Sequence, residues 1–214
     1  MITKNNFHIS EGNAKTGKIP SFNLLPGVTC SAAAKVTCFT HGCYAVNDLR
    51  YATTRKAWGD NTEGVKNNLI DFISDMNDYF SKLTAPRFFR IHSSGDFMSV
   101  EYAKAWYQIA KNNPGTKFLA FTKQFDIIRQ VPFYELNNFS LVLSSWNGRD
   151  IPADLELLYT VAYCDDGIIT IDSKKPLIEC PGNCDTCGVC WSLAKQNMNV
   201  CFYKHGAKKG LANE

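Results

Sequence analysis

The sequence has no long apolar run and no secretory leader, and these two absences narrow the functions that it can have. No stretch of the 214 residues approaches the ~18 consecutive apolar residues that a membrane-spanning helix needs. The opening segment, MITKNNFHISEGNAKTGK, lacks the apolar centre of a signal peptide. We therefore expect a cytoplasmic protein that has no membrane partner.

The sequence also has little net charge and little bias in composition. The formal net charge is only +3, which gives weak support for a polyanionic partner. A short basic tail contains Lys204, His205, Lys208 and Lys209, and we interpret it as a solvated segment. There is no internal repeat and no low-complexity segment. Apolar residues make up 45% of the chain, enough for one large domain with a real core.

Cysteine is the residue type that the chain has in unusual number and spacing. The nine cysteines are an odd total, which argues against a fully paired set of disulfides. In a reducing compartment, clustered cysteines are typical metal ligands. The N-terminal cysteine group consists of Cys30, Cys38 and Cys43. The C-terminal cysteine group consists of Cys180, Cys184, Cys187 and Cys190.

Apolar segments alternate with helical patterns along most of the chain. Strands are predicted at residues 19–27, 87–92, 117–122, 139–145, 159–164 and 167–172. Helices are predicted from Val65 to Leu83, from Ser99 to Asn112 and from Phe125 to Gln130. This alternation indicates βαβ units and a largely parallel sheet.

The number of βα units favours one fold within the α/β class. There are too few units for a full eightfold barrel, so we predict a partial, open (β/α) barrel over residues 1–172. A small cysteine-rich metal-binding subdomain is predicted over residues 173–214. A doubly wound open sheet is the alternative fold.

The C-terminal cysteine group has the spacing C-x3-C-x2-C-x2-C, with Gly182 and Gly188 to let the backbone turn. Four thiolates so close together can enclose one metal centre. A dense single run favours an iron–sulfur cluster, whereas zinc sites usually pair cysteines from two separate turns, and both metals stay open. Cys164 or Cys201 could replace one ligand, and each is otherwise interpreted as a buried core cysteine.

The N-terminal cysteine group has the looser spacing C-x7-C-x4-C and is followed directly by Tyr44. A [4Fe–4S] cluster needs one ligand for each iron, so three thiolates leave one iron open for a substrate or cofactor. His41 lies between two of the cysteines and is a candidate fourth ligand, the alternative being a hydrogen bond within the loop. The sequence therefore predicts a reactive metal site here.

Polar side chains follow three successive predicted strands at the point where each strand ends. They are His92, Ser94 and Asp96; Thr122 and Lys123; and Ser144, Ser145, Trp146 and Asn147. Because the carboxyl ends of parallel strands meet at one edge, we expect a shared binding crevice. For Asp96 the alternative is a role at the following helix start, and for Lys123 a solvated position. Trp146 and Trp191 are candidates to stack on a base, with core packing as the alternative.

The order of these motifs resembles the phage "gene product 88" family over about residues 18–206. The motifs are Cys43-Tyr44-Ala45, Ser94-Gly95-Asp96-Phe97, Phe121-Thr122-Lys123 and Cys187-x2-Cys190-Trp191. That family supplies no activity to transfer. If a phage encodes the chain, its location is the host-cell cytoplasm.

The layout is more distantly similar to radical S-adenosylmethionine (SAM) enzymes, which place three cysteines after the first strand of a partial (β/α) barrel. The likeness implies that the N-terminal cysteine group holds a [4Fe–4S] cluster whose open iron is chelated by SAM. It places Ser94, Gly95 and Asp96 near the SAM amino group and Tyr44 beside the cluster. Lys123 is a further candidate cofactor contact. The C-terminal cysteine group would then hold an auxiliary cluster or a structural metal.

Three functional hypotheses follow from these residues. The first is a radical-SAM-like enzyme that takes electrons from an external donor, with a nucleotide or nucleic acid as the candidate substrate. The second is a non-enzymatic zinc protein that binds nucleic acid or a protein partner. The third is an enzyme that activates water on zinc at the N-terminal cysteine group.

Overall fold

The computed structural model describes residues 1–39, 42–145, 151–165 and 171–203. Together they form a mixed α/β structure around one eight-stranded sheet. The strands are β1 (Ile9–Ser10), β2 (Ser21–Phe22), β3 (Phe88–Ile91), β4 (Lys117–Thr122), β5 (Phe139–Ser144), β6 (Thr160–Asp165), β7 (Leu177–Glu179) and β8 (Asn199–Tyr203). The α-helices are α1 (Ala32–Ala34), α2 (Tyr44–Asp48), α3 (Ala52–Asn67), α4 (Leu69–Phe80), α5 (Val100–Asn112), α6 (Phe125–Ile128), α7 (Ala153–Leu158), α8 (Cys184–Cys187) and α9 (Leu193–Gln196). A π-helical stretch covers Lys35–Phe39, and 3-10 turns cover Phe133–Glu135 and Val189–Trp191.

The sheet is almost entirely parallel, as the alternation of strands and helices predicted. Its strand order is β1-β2-β3-β4-β5-β6-β8-β7, and only the β1–β2 pair is antiparallel. From β2 to β6 the order in space follows the order in the chain. A doubly wound sheet reverses direction at a switch point, so that alternative fold does not fit this order.

Helices cover one face of the sheet, where an aromatic core fills the space beneath α4 and α5. The rings of Phe72 and Trp106 lie 5.3 Å apart in an edge-on arrangement, and both side chains are fully buried. Helix α5 begins where the sequence predicted, because the Ser99 hydroxyl accepts a hydrogen bond from the backbone N–H of Tyr102 at 3.2 Å. The predicted apolar side of this helix is its buried side.

The single helix predicted from Val65 to Leu83 is instead two helices. Asn68, with φ of −148°, separates α3 from α4. Its side chain caps α4 by accepting a hydrogen bond from the N–H of Asp71 at 3.1 Å. The apolar spacing continues across the break because both helices pack on the same core. Leu83 lies beyond α4 and is fully exposed, so its assignment to the apolar side was wrong.

The C-terminal segment packs on the opposite face of the same sheet and supplies β7 and β8. The Trp191 ring lies 5.4 Å from the Phe88 ring, and its Nε1–H donates to the Phe89 carbonyl at 3.3 Å. The Ser140 hydroxyl donates to the carbonyl of Cys190 at 2.7 Å. Trp191 is therefore a core residue. The domain boundary between residues 172 and 173 stays a prediction.

Several predicted features fall outside the described residues. These are His41, Trp146, Asn147, the basic tail Lys204, His205, Lys208 and Lys209, and residues 167–170 of the last predicted strand. Within the described ranges, no helix has both the length and the apolar character needed to cross a membrane.

Replacing Trp191 by Ala should lower the free energy of unfolding by about 3–5 kcal/mol, because it removes a large buried ring and leaves the Phe89 carbonyl without this donor. Urea denaturation measures the change. Leu83→Ala is the matched control, since Leu83 is fully exposed and its loss should cost less than about 0.5 kcal/mol. A cost below about 1 kcal/mol for Trp191→Ala would contradict the packing described here.

Candidate functional site

A pocket opens at the carboxyl edge of the sheet, where β2, β3, β4 and β5 end. All three side chains of the N-terminal cysteine group line it. The other lining residues that the sequence singled out are Tyr44, His92, Ser94, Gly95, Asp96, Lys123 and Ser144. The pocket has a cavity volume of about 100 Å³, which is smaller than the ~300–1,000 Å³ of most small-molecule sites, and it opens to solvent. Each of the three predicted strand ends contributes a residue to this pocket, although Thr122 and Ser145 do not line it. Its role in binding stays a prediction.

Short helical segments bring the three distant cysteines of the N-terminal group to one pocket. Cys30 follows the turn after β2, and the Ser31 hydroxyl caps α1 by accepting from the N–H of Ala34 at 3.1 Å. Cys38 lies in the π-helical stretch Lys35–Phe39, and Cys43 is the residue that precedes α2. Because the intervening segments are helical, cysteines that are far apart in the sequence lie closer together in three dimensions.

A hydrogen bond joins the side chains of Cys38 and Cys43. The hydrogen bond from the Cys38 thiol lowers the pKa of Cys43 to about 6; burial opposes this shift, and the backbone N–H groups of Ala45 and Val46 add to it. The same hydrogen bond and burial raise the pKa of Cys38. At neutral pH the pair therefore consists of one thiolate and one thiol.

Cys30 has a different environment. Burial raises the pKa of its thiol, while a hydrogen bond from the N–H of Gly27, at 3.4 Å from Sγ, opposes the shift. This cysteine is therefore a neutral thiol at neutral pH, unless a bound cation displaces its proton.

Ser94 and Gly95 join the cysteine-bearing loop to the end of β3. The Ser94 hydroxyl donates to the Leu24 carbonyl at 3.0 Å, and the Leu24 N–H donates to the Ser94 carbonyl at 3.0 Å. Gly95 has φ of +81°, and a Cβ there would lie 2.7 Å from both Leu24 Cβ and Thr29 Oγ1. Only glycine fits this close approach, so these two residues act first as a structural joint.

Asp96 extends the same joint to β4. One carboxylate oxygen accepts from the Thr122 hydroxyl at 2.7 Å and from the N–H of Phe97 at 2.8 Å, and the other accepts from the N–H of Lys123 at 2.8 Å. Burial raises the pKa of Asp96 and these hydrogen bonds oppose the shift. Because Ser99 caps α5, the alternative role for Asp96 at the helix start is wrong. Its carboxylate lines the pocket but its hydrogen bonds hold the loops together.

Arg90, which the sequence analysis did not single out, also lines the pocket. So does Phe121, which it named only within a family motif. Strand alternation buries Phe89 and Ile91 in the helix-side core and places Arg90 on the other face of the sheet. The Arg90 guanidinium carbon lies 4.2 Å from the centre of the Phe121 ring. The feature of the sequence that could have identified Arg90 is its position between apolar residues in the predicted strand 87–92.

Tyr44 stands at the mouth of the pocket. Its hydroxyl donates to the carbonyl of Ser93, and its side chain is otherwise well exposed. It therefore ties α2 to the loop after β3 while presenting its ring to incoming molecules.

The C-terminal cysteine group lies on the sheet face opposite the helices. Cys180 follows β7, and α8 runs from Cys184 to Cys187. Gly182 and Gly188 have φ of +85° and +61°, as their predicted role in turning the backbone requires. Burial raises the pKa of the Cys190 thiol to about 12, although the positive charge of Arg90 opposes the shift.

The cysteines have not converged on a single point. In the ranges that the structure describes, no three His, Cys, Asp or Glu side chains are close enough to hold one metal ion. The seven cysteines of the two groups are in no disulfide. Metal binding by either group therefore stays a prediction. Cys201 is buried in β8, as expected of a core cysteine.

The fold and the pocket define a mixed α/β protein with a cysteine-lined pocket at the carboxyl edge of a parallel sheet. The chain belongs to the Gene product 88 family, whose model matches residues 1–193. It is 26% identical to the Gene 88 protein of Mycobacterium phage L5 over 212 residues, which covers 87% of this chain and 89% of the phage protein. It is 28% identical to the Gene 88 protein of Mycobacterium phage D29 over 155 residues, covering 66% and 63%.

These comparisons confirm the resemblance to the phage family. No solved structure matches the chain. None of the comparisons supports the more distant likeness to radical SAM enzymes.

Replacing Gly95 by Ala should destabilise the protein by about 2–5 kcal/mol, because the added methyl group meets Leu24 and Thr29 and the backbone is left-handed. Chemical denaturation measures the difference. Gly115→Ala is the control, since a methyl group there would meet no atom within 4 Å and should change stability by less than about 1 kcal/mol. Equal effects at the two glycines would show that Gly95 is not needed for the close contact with Leu24 and Thr29.

In the metal-free protein, alkylation of Cys43 by iodoacetamide should rise to half its maximal rate near pH 6, because only the thiolate reacts. The pKa is lowered, so the reactive form dominates above that pH and disappears below it. An ordinary cysteine would reach half-maximal rate near pH ~8.5. Mass spectrometry of labelled peptides from pH 5 to 9 gives the rates, with Cys190 expected to stay unreactive. A Cys43 midpoint near that of an ordinary cysteine would show that the Cys38 hydrogen bond is not formed.

Proposed function

We propose that the chain is an iron–sulfur protein in which Cys30, Cys38 and Cys43 hold a [4Fe–4S] cluster with one iron left open. The observation that carries the proposal is that all three thiols line one pocket at the carboxyl edge of the sheet. The activity proposed is that of a radical-SAM-like enzyme in the host-cell cytoplasm, with a nucleotide or nucleic acid as candidate substrate.

The chemistry of the donor set fits such a cluster. Each thiol of the N-terminal group serves a separate iron, so the three sulfurs need not converge on one ion. Backbone N–H groups already point at two of the sulfurs, from Gly27 to Cys30 and from Ala45 and Val46 to Cys43. Such N–H···S contacts are among the means by which proteins tune iron–sulfur centres.

The sheet order favours the partial (β/α) barrel as the form of this fold. Strands β2 to β6 are parallel neighbours in chain order, as successive strands of a barrel are. The helices pack on one face, and the C-terminal cysteine segment packs on the other. In this proposal the C-terminal segment fills the inner side of the curved sheet.

The chain's own residues position what enters the pocket. When bound, the cluster supplies an electron for reductive cleavage of SAM, and an external donor must replace that electron. Tyr44 and Lys123 border the opening, and the turn Ser94–Asp96 fixes the cysteine-bearing loop against β3 and β4.

The C-terminal cysteine group is proposed to hold an auxiliary cluster or a structural metal. The pKa of Cys190 is affected by the charges of Cys180, Cys184 and Cys187, so the four thiols are neighbours. Because burial raises the pKa of Cys184 and Cys190, a metal must displace protons from them on binding. Zinc is the alternative metal here. With zinc in both groups, the protein would be a non-enzymatic binder of nucleic acid or of a protein partner.

Anaerobic purification should give a brown protein that contains iron and acid-labile sulfide, because both inorganic components belong to the cluster. Cys38→Ala should remove about four iron and four sulfide per chain while urea denaturation shows a folded protein. Metal and sulfide analysis, with and without added SAM, measures both contents.

Two further variants locate each centre. Cys187→Ala should remove metal from the C-terminal group and loosen that segment. Cys164→Ala tests whether Cys164 replaces one of the four ligands, since loss of metal in this variant would place it in the site. Two zinc ions without sulfide would support the non-enzymatic alternative. Loss of folding in both Cys38→Ala and Cys187→Ala would leave the catalytic proposal without support.

A further inference from the structure

Arg90 is a half-buried cation that lines the pocket of the N-terminal cysteine group. Its Nε–H donates to the carbonyl of His92 over a long 3.4 Å. Across the described ranges, neither terminal nitrogen has a hydrogen-bond partner and no carboxylate pairs with the guanidinium. A guanidinium held without its usual anion, inside a pocket, points to an anion that comes from outside the protein.

Asp96 lines the same pocket, but its carboxylate is not the anion that pairs with Arg90. Both oxygens of Asp96 accept hydrogen bonds from Thr122, Phe97 and Lys123. The Phe121 ring lies against the guanidinium at 4.2 Å, which restricts the orientation of its plane. Arg90 is therefore held against Phe121 in the pocket and forms no ion pair with Asp96.

A second polar group in the pocket is also left without a partner. The Ser93 hydroxyl oxygen is buried and has no hydrogen-bond partner in the part of the chain that the structure describes. Ser93 and Arg90 line the same pocket. Buried polar groups are normally satisfied, so two unsatisfied groups in one pocket indicate a ligand that carries hydrogen-bonding oxygens.

We propose that Arg90 binds the carboxylate or phosphate group of the small molecule that enters this pocket. The guanidinium offers its fork of N–H donors to two oxygens of such a group. The inference deepens the proposed function, because it rests on the same pocket and names the chemical class of its occupant. Lys123, which also lines the pocket, adds positive charge on the same side.

The competing role for Arg90 is to balance the charge of the thiolates. The observed contacts favour the ligand, because Cys43 receives its hydrogen bonds from Cys38, Ala45 and Val46. Among the described residues, no thiol accepts a hydrogen bond from Arg90. The two roles differ in what they predict for binding of a free anion to the protein without iron.

Protection of Arg90 from phenylglyoxal, a reagent that modifies arginine, tests the proposal. Inorganic phosphate and acetate carry the two head groups alone, and chloride at equal ionic strength is the reference. We expect phosphate or acetate to slow modification of Arg90 several-fold, measured by mass spectrometry of its peptide. Arg87 is an internal control, because it is exposed and packs over Phe88 outside the pocket, and its rate should not change.

Variants then measure the contribution of the charge to affinity. In calorimetric titrations with adenosine 5′-monophosphate and with methionine, Arg90→Gln should weaken binding about 10- to 100-fold. Arg90→Lys should retain part of the affinity, and Arg87→Gln should leave it unchanged. Adenosine and methioninol lack the phosphate and the carboxylate, respectively, and should lose no affinity on Arg90→Gln. Tighter binding of adenosine 5′-monophosphate would indicate a phosphate as the natural head group, and tighter binding of methionine would indicate a carboxylate.

Both experiments are run on the protein as purified and on iron-free protein, so that this proposal and the cluster proposal can fail separately. Equal modification of Arg90 in phosphate, acetate and chloride in both forms would overturn the anion site. So would equal protection of Arg87, or equal affinity, in both pairs, for the probe with the anionic group and the probe without it. Protection in iron-free protein alone would keep the anion site and count against the cluster.

Discussion

The carboxylate of Asp96 is the interaction on which the arrangement of the pocket depends. It connects the loop after β3 to the end of β4 through Thr122 and Lys123. The backbone N–H of Asp96 donates to the Thr29 hydroxyl at 3.1 Å, which ties in the loop that carries Cys30. A buried carboxylate is costly unless its oxygens are bonded, so the carboxylate draws the loop after β3 to the end of β4, and the backbone N–H of the same residue adds the third segment. The contacts of Asp96 thereby fix the loops that surround the N-terminal cysteine group.

The two faces of the sheet have separate tasks. One face is packed with aromatic rings beneath α4 and α5, and it supplies most of the buried apolar surface. The other face carries Trp191 and the C-terminal cysteine group. Arg90 points to this second face, and its charge affects the thiols of Cys184 and Cys190 as well as the pocket. Arg90 therefore acts on the C-terminal cysteine group while it lines the pocket that holds the N-terminal cysteine group.

Local signals were enough to predict β3, β4, β5 and α5, because period, caps and turns agree in those segments. The break at Asn68 was missed, since apolar spacing continues across it and hides the capping signal. Strands β1 and β7 are two and three residues long, and pairing rather than sequence pattern defines them. Ser94, Gly95 and Asp96 were recognised as important for the site, but their main task depends on Thr29, a contact that no local pattern reveals.

The π-helical stretch that contains Cys38 has a consequence for how the N-terminal group can accommodate a bound centre. A π-helix holds one residue more in each turn than an α-helix does, so releasing that residue turns the following chain by roughly 100°. The π-helical winding therefore sets the direction in which Cys38 presents its sulfur, and a regular α-helix over Lys35–Phe39 would aim that sulfur elsewhere.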